Sequence, residues 1–360
     1  MNFFYIILIF IFFPFSCNSQ ILLNQLSTGL SNLWGITLLN NEEILLTQRS
    51  GNVYKLNIYN KNITKIGGVP KVHNYGQGGL LDVVFENHDN NKKIYLCLSE
   101  KSNKSNKNKS ATAVHSYDFK NDKLINKKLL FVSNKPSISS RHFGCRLAIK
   151  DEFIFATIGD RGNRQDAQNT NNHSGSVIKI KKNGSKFNNN AFSNASPEIY
   201  SIGHRNPQGL LFHKKTNRIW LHEHGPQGGD EVNIILKGKN YGWPKITFGK
   251  EYGSGKKIGI GVSKDGFENP VKVWVPSIAP SGMILYQGNM FEEFQNKLIV
   301  GSLKFKRLHI LSIKNKKILD ERVILQDKIG RIRDIEEMSD GSLIIINDEY
   351  NGGVYRLYKK

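Results

Sequence analysis

Six pairs of short strands, recurring along the chain, constrain this fold more than any other feature. Each pair is a run of β-branched, aromatic and leucine residues, a turn, and a second such run. Leu33-Trp34-Gly35-Ile36-Thr37-Leu38 leads to Ile44-Leu45-Leu46-Thr47, and Leu80-Leu81-Asp82-Val83-Val84-Phe85 leads to Ile94-Tyr95-Leu96-Cys97-Leu98. Four more pairs begin at Arg146, Gly209, Gly282 and Arg333. Third strands follow most of them, as in Val53-Tyr54-Lys55-Leu56 and Arg307-Leu308-His309-Ile310. No helix-period run of any length stands out. Anchored on the second strands at Ile44, Ile94, Phe153, Ile219, Leu298 and Leu343, the spacings are 50, 59, 66, 79 and 45 residues. Six units of about four strands, each a self-contained antiparallel sheet, predict an all-β fold: one six-bladed β-propeller over residues 20–360. A large sandwich or a β-solenoid is the rival, disfavoured because the units are self-contained.

In an antiparallel hairpin, the entry to the first strand and the exit of the second lie at the same end. Before the first strands stand Gln77-Gly78-Gly79, Arg141-His142, His204-Arg205-Asn206, residues 277–281 and Arg331-Ile332-Arg333. After the second strands come Gln48-Arg49, Gly159-Asp160-Arg161, His222-Glu223-His224-Gly225-Pro226, Gly301-Ser302-Leu303-Lys304 and Asn347-Asp348-Glu349. All of these fall on one face of the propeller, around the mouth of a central channel where a ligand is expected. The densest cluster is Gly203-His204-Arg205-Asn206-Pro207-Gln208-Gly209 together with the His222 to Pro226 run, the two halves of one hairpin. The opposite hairpin ends carry ordinary turn text such as Asn40-Asn41 and Lys150-Asp151.

With 39% hydrophobic residues and 20 Phe, the chain can bury a large core. A net charge of +21 first suggests nucleic acid. The lysines, however, are scattered among asparagines in loop text at 101–109, 181–186 and 314–317. That describes a solvated surface, and nucleic acid is not the expected partner. What remains is a positive field that would draw in an anionic cofactor or substrate. Residues 1–19 read as an export signal: the apolar run from Phe3 to Phe13 is too short to span a bilayer and ends at Pro14. Either the signal is cleaved, or Cys17 becomes the first residue of a lipoprotein and carries the only membrane anchor. Both place the propeller outside the cytoplasm, periplasmic or membrane-anchored. Of the other two cysteines, Cys97 sits in strand text and reads as a small buried hydrophobe. A disulfide with Cys145 stays open and is not favoured, because nothing in the sequence fixes their distance.

The polar face offers cations (Arg141, Arg161, Arg205, Lys304, Arg331, Arg333), histidines (His142, His204, His222, His224), and oxygens suited to a hard cation (Asp160, Asp230, Glu231 and the carbonyls of the Gly225-Pro226 turn). Cations converging on a low-dielectric mouth call for an anion, and arginines suit carboxylates through bidentate contact. Zinc on His222 and His224 is the alternative, weakened by the lack of a third soft ligand nearby.

In these motifs the chain resembles the soluble pyrroloquinoline-quinone (PQQ)-dependent sugar dehydrogenases, and more closely the bacterial aldose sugar dehydrogenases of the glucose/sorbosone dehydrogenase type. The carrying segments are Gly76-Gln77-Gly78-Gly79-Leu80-Leu81-Asp82-Val83, His142-Phe143-Gly144-Cys145-Arg146-Leu147 and Ile158-Gly159-Asp160-Arg161-Gly162. The run from Gly203 to Leu210, His222 to Asn233, Gly238 to Pro244, Pro276 to Met283 and Gly330 to Asp334 continue the match in order. The resemblance implies an oxidoreductase that converts aldose sugars to lactones. His142 would be the general base, taking the proton of the anomeric hydroxyl as hydride moves to the quinone. Gln77, Arg205, Asn206, Lys304, Arg331 and Arg333 would hold PQQ, a tricarboxylate. Asp160 and Arg161 would lie on the substrate side. The carbonyls of Gly225 and Pro226 would hold a Ca²⁺ against the quinone, and Glu231 with Tyr241 a second Ca²⁺.

Two departures are Cys145, where the family usually has serine, and a Lys/Asn/Ser loop over 99–110 that would overhang the cofactor face. An external electron acceptor is implied but not identified. Two other functions stay open on the same architecture: a non-catalytic extracellular binding propeller and a Ca²⁺-dependent sugar lactonase. The latter would have no use for Lys304, Arg331 and Arg333.

Overall fold

The computed structural model describes residues 20–88, 91–102 and 108–360. The expected export signal and Cys17 lie outside the described residues. Six sheets, none sharing a strand with its neighbour, follow one another along the chain as the blades of a propeller. Blade 1 is Leu33–Leu38, Glu43–Gln48, Asn52–Asn57 and Ile63–Lys65; blade 2 is Leu80–His88, Asn91–Lys101, Ser110–Lys120 and Lys123–Val132. Blade 3 is Gly144–Lys150, Phe153–Ile158, Ser176–Lys181 and Ile199–Ile202, with the two-residue Lys239–Asn240 added in parallel. Blade 4 is Pro207–His213, Arg218–Glu223, Asp230–Ile235 and Lys272–Trp274; blade 5 is Pro280–Leu285, Leu298–Ser302, Arg307–Lys314 and Lys317–Ile324. Blade 6 takes Ile332–Glu337, Leu343–Asn347 and Val354–Lys359 from the C-terminus, and its outer strand, Ile21–Ser27, from the other end of the chain. Helix is confined, among the described residues, to three short 3₁₀ turns.

The second strand of each blade carries a long unbroken buried run because both neighbouring blades cover it. Ile44, Leu45 and Leu46 are all fully buried, and Trp220 and Val232 of blade 4 pack against Leu298 and Val300 of blade 5. At about 1.5–3 kcal/mol for each fully buried aliphatic or aromatic side chain, these inter-blade seams are the main stabilising layer. Outer strands are wet on one side, which is why Lys317–Ile324 carries Lys317, Asp320, Glu321 and Arg322.

Every innermost strand breaks register near its start, between Leu33 and Ile36, Leu80 and Val83, Gly144 and Leu147, Pro207 and Gly209, Pro280 and Met283, and Ile332 and Asp334. A bulge re-aims the side chains it carries. Here the bulges gather polar groups from several blades onto the propeller axis. Arg146 Nη1 donates to Asp82 Oδ1 at 3.0 Å and Asp334 Oδ2 at 2.7 Å, Arg146 Nε donates to the Gln208 carbonyl at 3.1 Å, and the guanidinium lies 4.3 Å from the Trp34 ring centre. Blades 1, 2, 3, 4 and 6 meet at this one side chain.

The cysteine reading is corrected. Cys97 and Cys145 are joined in a disulfide, with Cα atoms 5.5 Å apart, that links the second strand of blade 2 to the innermost strand of blade 3. Closing a separation of 48 residues contributes about 4 kcal/mol in the chain-entropy account. The overhanging loop is also shorter than the sequence suggests. Ser99 and Ser110 are buried strand residues, and 103–107 lie outside the described residues.

Candidate active site

At one face of the propeller a cleft of 570 Å³ opens between the tops of blades 2 to 5, lined by Gln77, His142, Arg205, Asn206, His224, Gly225, Pro226, Tyr252 and Lys304. A narrower extension of 190 Å³ shares Gln77, Asn206 and His224 and runs toward Trp34, Arg331, Arg333 and Asp348. Blades 2, 3, 4, 5 and 6 thus bring the residues expected at a cofactor together in one continuous space.

His142 occupies the turn before blade 3 in a left-handed conformation (φ +55°), as do Gly144 (φ +65°) and Cys145 (φ +75°). Such a backbone is costly for non-glycine residues and persists only where the surroundings impose it. The Gln77 side chain supplies part of that constraint, its Oε1 accepting the His142 backbone N–H at 2.8 Å. Asp160, at the exit of the second strand, lies 2.7 Å from His142 Nδ1 and accepts from Trp243 Nε1 at 2.8 Å and from the Gly162 backbone at 2.7 Å. With Nδ1–H held by Asp160, the lone pair of Nε2 is left for the cleft. Burial lowers the His142 pKa; the Asp160 contact works against this and Arg205 adds to it. The imidazole is therefore neutral at neutral pH. Burial raises the Asp160 pKa, but its bonds to His142, Gly162 and Trp243 outweigh that, and the carboxyl ends below its ordinary value.

Asp160 and Arg161 were expected on the substrate side. Asp160 stands behind the imidazole as its orienting partner. Arg161 lies flat on Phe143, 3.5 Å from the ring centre, and donates to the carbonyls of Arg141 at 3.2 Å and Ser139 at 2.6 Å. Burial lowers its pKa to about 10. Its guanidinium is committed to packing the wall behind His142, not to the cleft.

The cations of the cleft are poorly matched by anions. Arg333 Nη2 donates to Asp348 Oδ2 at 2.6 Å and Nη1 to Gln208 Oε1 at 3.3 Å, while its buried Nε has no partner. Burial raises the Asp348 pKa, but Arg333 and then Arg49 and Arg331 overcome it, bringing the carboxyl to about 2. Arg205 Nη1 meets only carbonyls, those of Gly225 at 2.7 Å and His224 at 3.1 Å. Lys304 lies near the Phe305 ring and forms no ion pair among the described residues. Asn206 accepts from Gln208 Nε2 at 3.2 Å. An orphaned guanidinium nitrogen and unpaired buried charge fit a ligand with several carboxylates.

The metal reading fits less completely. The Gly225 carbonyl accepts from Arg205 and the Pro226 carbonyl from Ser277 Oγ at 3.4 Å. Asp230 is already used, by the backbone N–H groups of Gly225 and Ala279, each at 2.8 Å. Two main-chain oxygens and no spare carboxylate suit an ion that shares its shell with a bound anion, not an all-protein cage. Glu231 and Tyr241 border a separate small hollow behind the turn. The Tyr241 hydroxyl is engaged by the Ile234 carbonyl at 2.6 Å and the Leu236 N–H at 2.9 Å, and burial and then Glu223 push the Glu231 pKa up. Among the described residues no group of three or more His, Cys, Asp or Glu side chains could hold a metal ion. The zinc alternative loses its ligands as well. His222 is wholly buried, and His224 Nε2 donates to the Pro280 carbonyl at 2.6 Å.

Asp348, Trp243 and Tyr252 were not expected as site residues, although Asp348 follows the second strand of blade 6 and Trp243 lies in the Gly238 to Pro244 motif. Tyr252 comes from a long connection in blade 4 that carries no strand pattern. A larger groove of 660 Å³ lies on the opposite face between blades 1 and 2, where Lys55 pairs with Glu43 at 3.2 Å and with Asp122 at 2.8 Å.

Comparison with known proteins points the same way. The sequence model of the glucose/sorbosone dehydrogenase family matches residues 30–356. The aldose sugar dehydrogenase YliI of Escherichia coli is 35% identical over 354 residues, 96% of this chain and 93% of that protein. The quinoprotein glucose dehydrogenase B of Acinetobacter calcoaceticus is 27% identical, over 94% of this chain and 87% of its own length. Among solved structures, the apo form of the soluble aldose sugar dehydrogenase from Escherichia coli superposes with a TM-score of 0.87 at 33% identity, covering 95% of this chain and all of that one.

Proposed function

The chain belongs to the glucose/sorbosone dehydrogenase family and is an oxidoreductase acting on sugars, and from that premise we propose that its cleft oxidises an aldose at the anomeric carbon to the lactone with PQQ as the hydride acceptor. The observation that carries the proposal is the Asp160–His142 pair, which turns a neutral imidazole nitrogen toward a cleft lined by Arg141, Arg205 and Lys304, none of them in an ion pair among the described residues.

His142 Nε2 accepts the proton of the anomeric hydroxyl as the C–H electrons leave as hydride, so that a C=O bond replaces C–H and O–H. Asp160 holds Nδ1–H and offsets the imidazolium charge that develops. Arg205, Lys304, Arg331 and Arg333 would neutralise the carboxylates of the cofactor, and Gln77 and Asn206 would hold it by hydrogen bonds. PQQ supplies the two-electron acceptor. Ca²⁺ on the carbonyls of Gly225 and Pro226 would polarise its carbonyl, and Arg205 must then release the Gly225 oxygen it now holds. No second Ca²⁺ is proposed at Glu231 and Tyr241, whose groups do not fit one.

We propose further that the enzyme is exported and passes its electrons to an external acceptor. Among the described residues no helix is long and apolar enough to cross a membrane. The test is purified protein supplied with PQQ and Ca²⁺ and assayed by dye reduction with a panel of aldoses. Activity is expected, with PQQ absorbance retained after dialysis. Inactivity across the panel, or full activity in His142→Ala, overturns the proposal. Retained PQQ without turnover would instead favour a binding propeller.

A further inference from the structure

The turn that carries His142 is held in place from three sides. From blade 2, Gln77 Oε1 accepts the His142 N–H at 2.8 Å and Thr112 Oγ1 donates to the Phe143 carbonyl at 3.1 Å. From blade 4, Asn206 Oδ1 accepts the Gly144 N–H at 3.4 Å and Gln208 Nε2 donates to the Gly144 carbonyl at 3.3 Å. The last two are long and individually weak. From blade 3 itself, Asp160 holds the ring. Only one restraint is covalent, and it acts where the backbone is least comfortable. Cys145, at φ +75° inside the blade 3 bulge, is bonded to Cys97 of blade 2.

We infer that the Cys97–Cys145 disulfide is a positioning element for the proposed general base, fixing the left-handed His142 to Cys145 turn of blade 3 against the blade 2 wall that carries Gln77. Three observations support this. Both sulfurs are fully buried within a cluster that includes Trp34, Leu81 and Phe143, so the bond is an internal strut. The two strands it joins belong to different blades and share no ladder hydrogen bonds. Three of the four residues from His142 to Cys145 have positive φ, a conformation the chain would relax out of if the restraint were weaker.

The inference rests on the proposed role of His142, and its test separates the two. The readouts are the steady-state kinetics of the PQQ- and Ca²⁺-loaded enzyme and, in the protein without cofactor, the titration of His142 followed by NMR of ¹³C-labelled imidazole rings, assigned with His142→Ala. In Cys97→Ser/Cys145→Ser, kcat is expected to fall about tenfold or more with KM for the sugar within about twofold, because a sub-ångström displacement of a base costs rate rather than affinity. The His142 titration is expected to move upward, toward the ordinary imidazole value, as water gains access to the ring. An unchanged kcat and an unchanged titration, with only a lower Tm, would overturn the inference and leave the bond a stabilising staple. If the double variant does not fold, wild-type protein unfolded, reduced and refolded in the presence of reductant takes its place. Failure of both to fold would show that the bond holds the whole fold rather than this turn, and would also overturn the inference. Inactive wild-type enzyme would refute the dehydrogenase proposal, while the titration would still decide the question of the disulfide.

Discussion

His142 combines two conditions that usually oppose each other: it is buried, and it must exchange a proton with a ligand. Asp160 reconciles them by fixing the tautomer without restoring a high pKa. Protonation removes the base, so activity is lost as pH falls through the His142 pKa, and burial puts that pKa below the ordinary imidazole value. The acid limb of kcat/KM against pH is expected below about 6.5. Asp160→Asn would leave the ring without its anionic partner, lowering kcat by on the order of 10²-fold with a smaller effect on KM. Steady-state kinetics across pH check both. The place of His142 at the cleft was legible, because the segment around it precedes the first strand of its blade. Its neighbours were less so. Asp160 and Arg161 are adjacent in sequence yet end in different places, one behind the imidazole and the other flat on Phe143, because Arg161 too is left-handed at φ +54°. No residue type announces such a turn when it occurs at histidine or arginine.

The innermost strands show what a repeated local irregularity can do. Their bulges sit at the site end of each blade, and neighbouring blades approach so closely there that a glycine is required. At Gly282 an added Cβ would stand 2.1 Å from Asp334 Oδ1 and 2.5 Å from Asp334 Cα. Gly282→Ala is expected to destabilise by at least about 1–3 kcal/mol. Gly261→Ala, whose Cβ would meet nothing closer than 3.8 Å, should be nearly neutral. Urea denaturation of the two variants beside wild type checks the contrast. First and second strands were readable from their apolar runs, because burial on both sides leaves little else in them. Outer strands were not. Exposure lets charge in, and Lys317–Ile324 or Ile21–Ser27 carry no pattern that separates them from loop. The bulges were equally hidden, since a register shift depends on pairing and not on residue type.

Across the whole molecule, Arg146 serves as the hub where five blades meet. Replacing it with alanine would strand the buried carboxylates of Asp82 and Asp334, and the expected cost is about 3–5 kcal/mol in thermal or urea unfolding. The same axis makes stability depend on pH. Burial, and then the charges of Asp334 and Asp82, raise the Glu336 pKa from 4.5 to about 8. A carboxyl raised in this way stabilises the fold fully below its unfolded value, and the contribution is lost as pH rises through the folded value. Between pH 4.5 and about 8, wild-type Tm is expected to fall more steeply than that of Glu336→Gln; differential scanning calorimetry at several pH values checks this. Ile21 pairs with Lys359, so the ring is closed by strands from opposite ends of the chain. That pairing has a consequence for biosynthesis. Five blades can form in order as the chain emerges, but Ile21–Ser27 has no partner until Val354–Lys359 is made, tens of seconds later at ordinary rates of synthesis. Throughout that interval the nascent molecule exposes an unsatisfied edge at one end and an unfinished sheet at the other. Closing the propeller therefore requires that those edges be shielded until both strands exist.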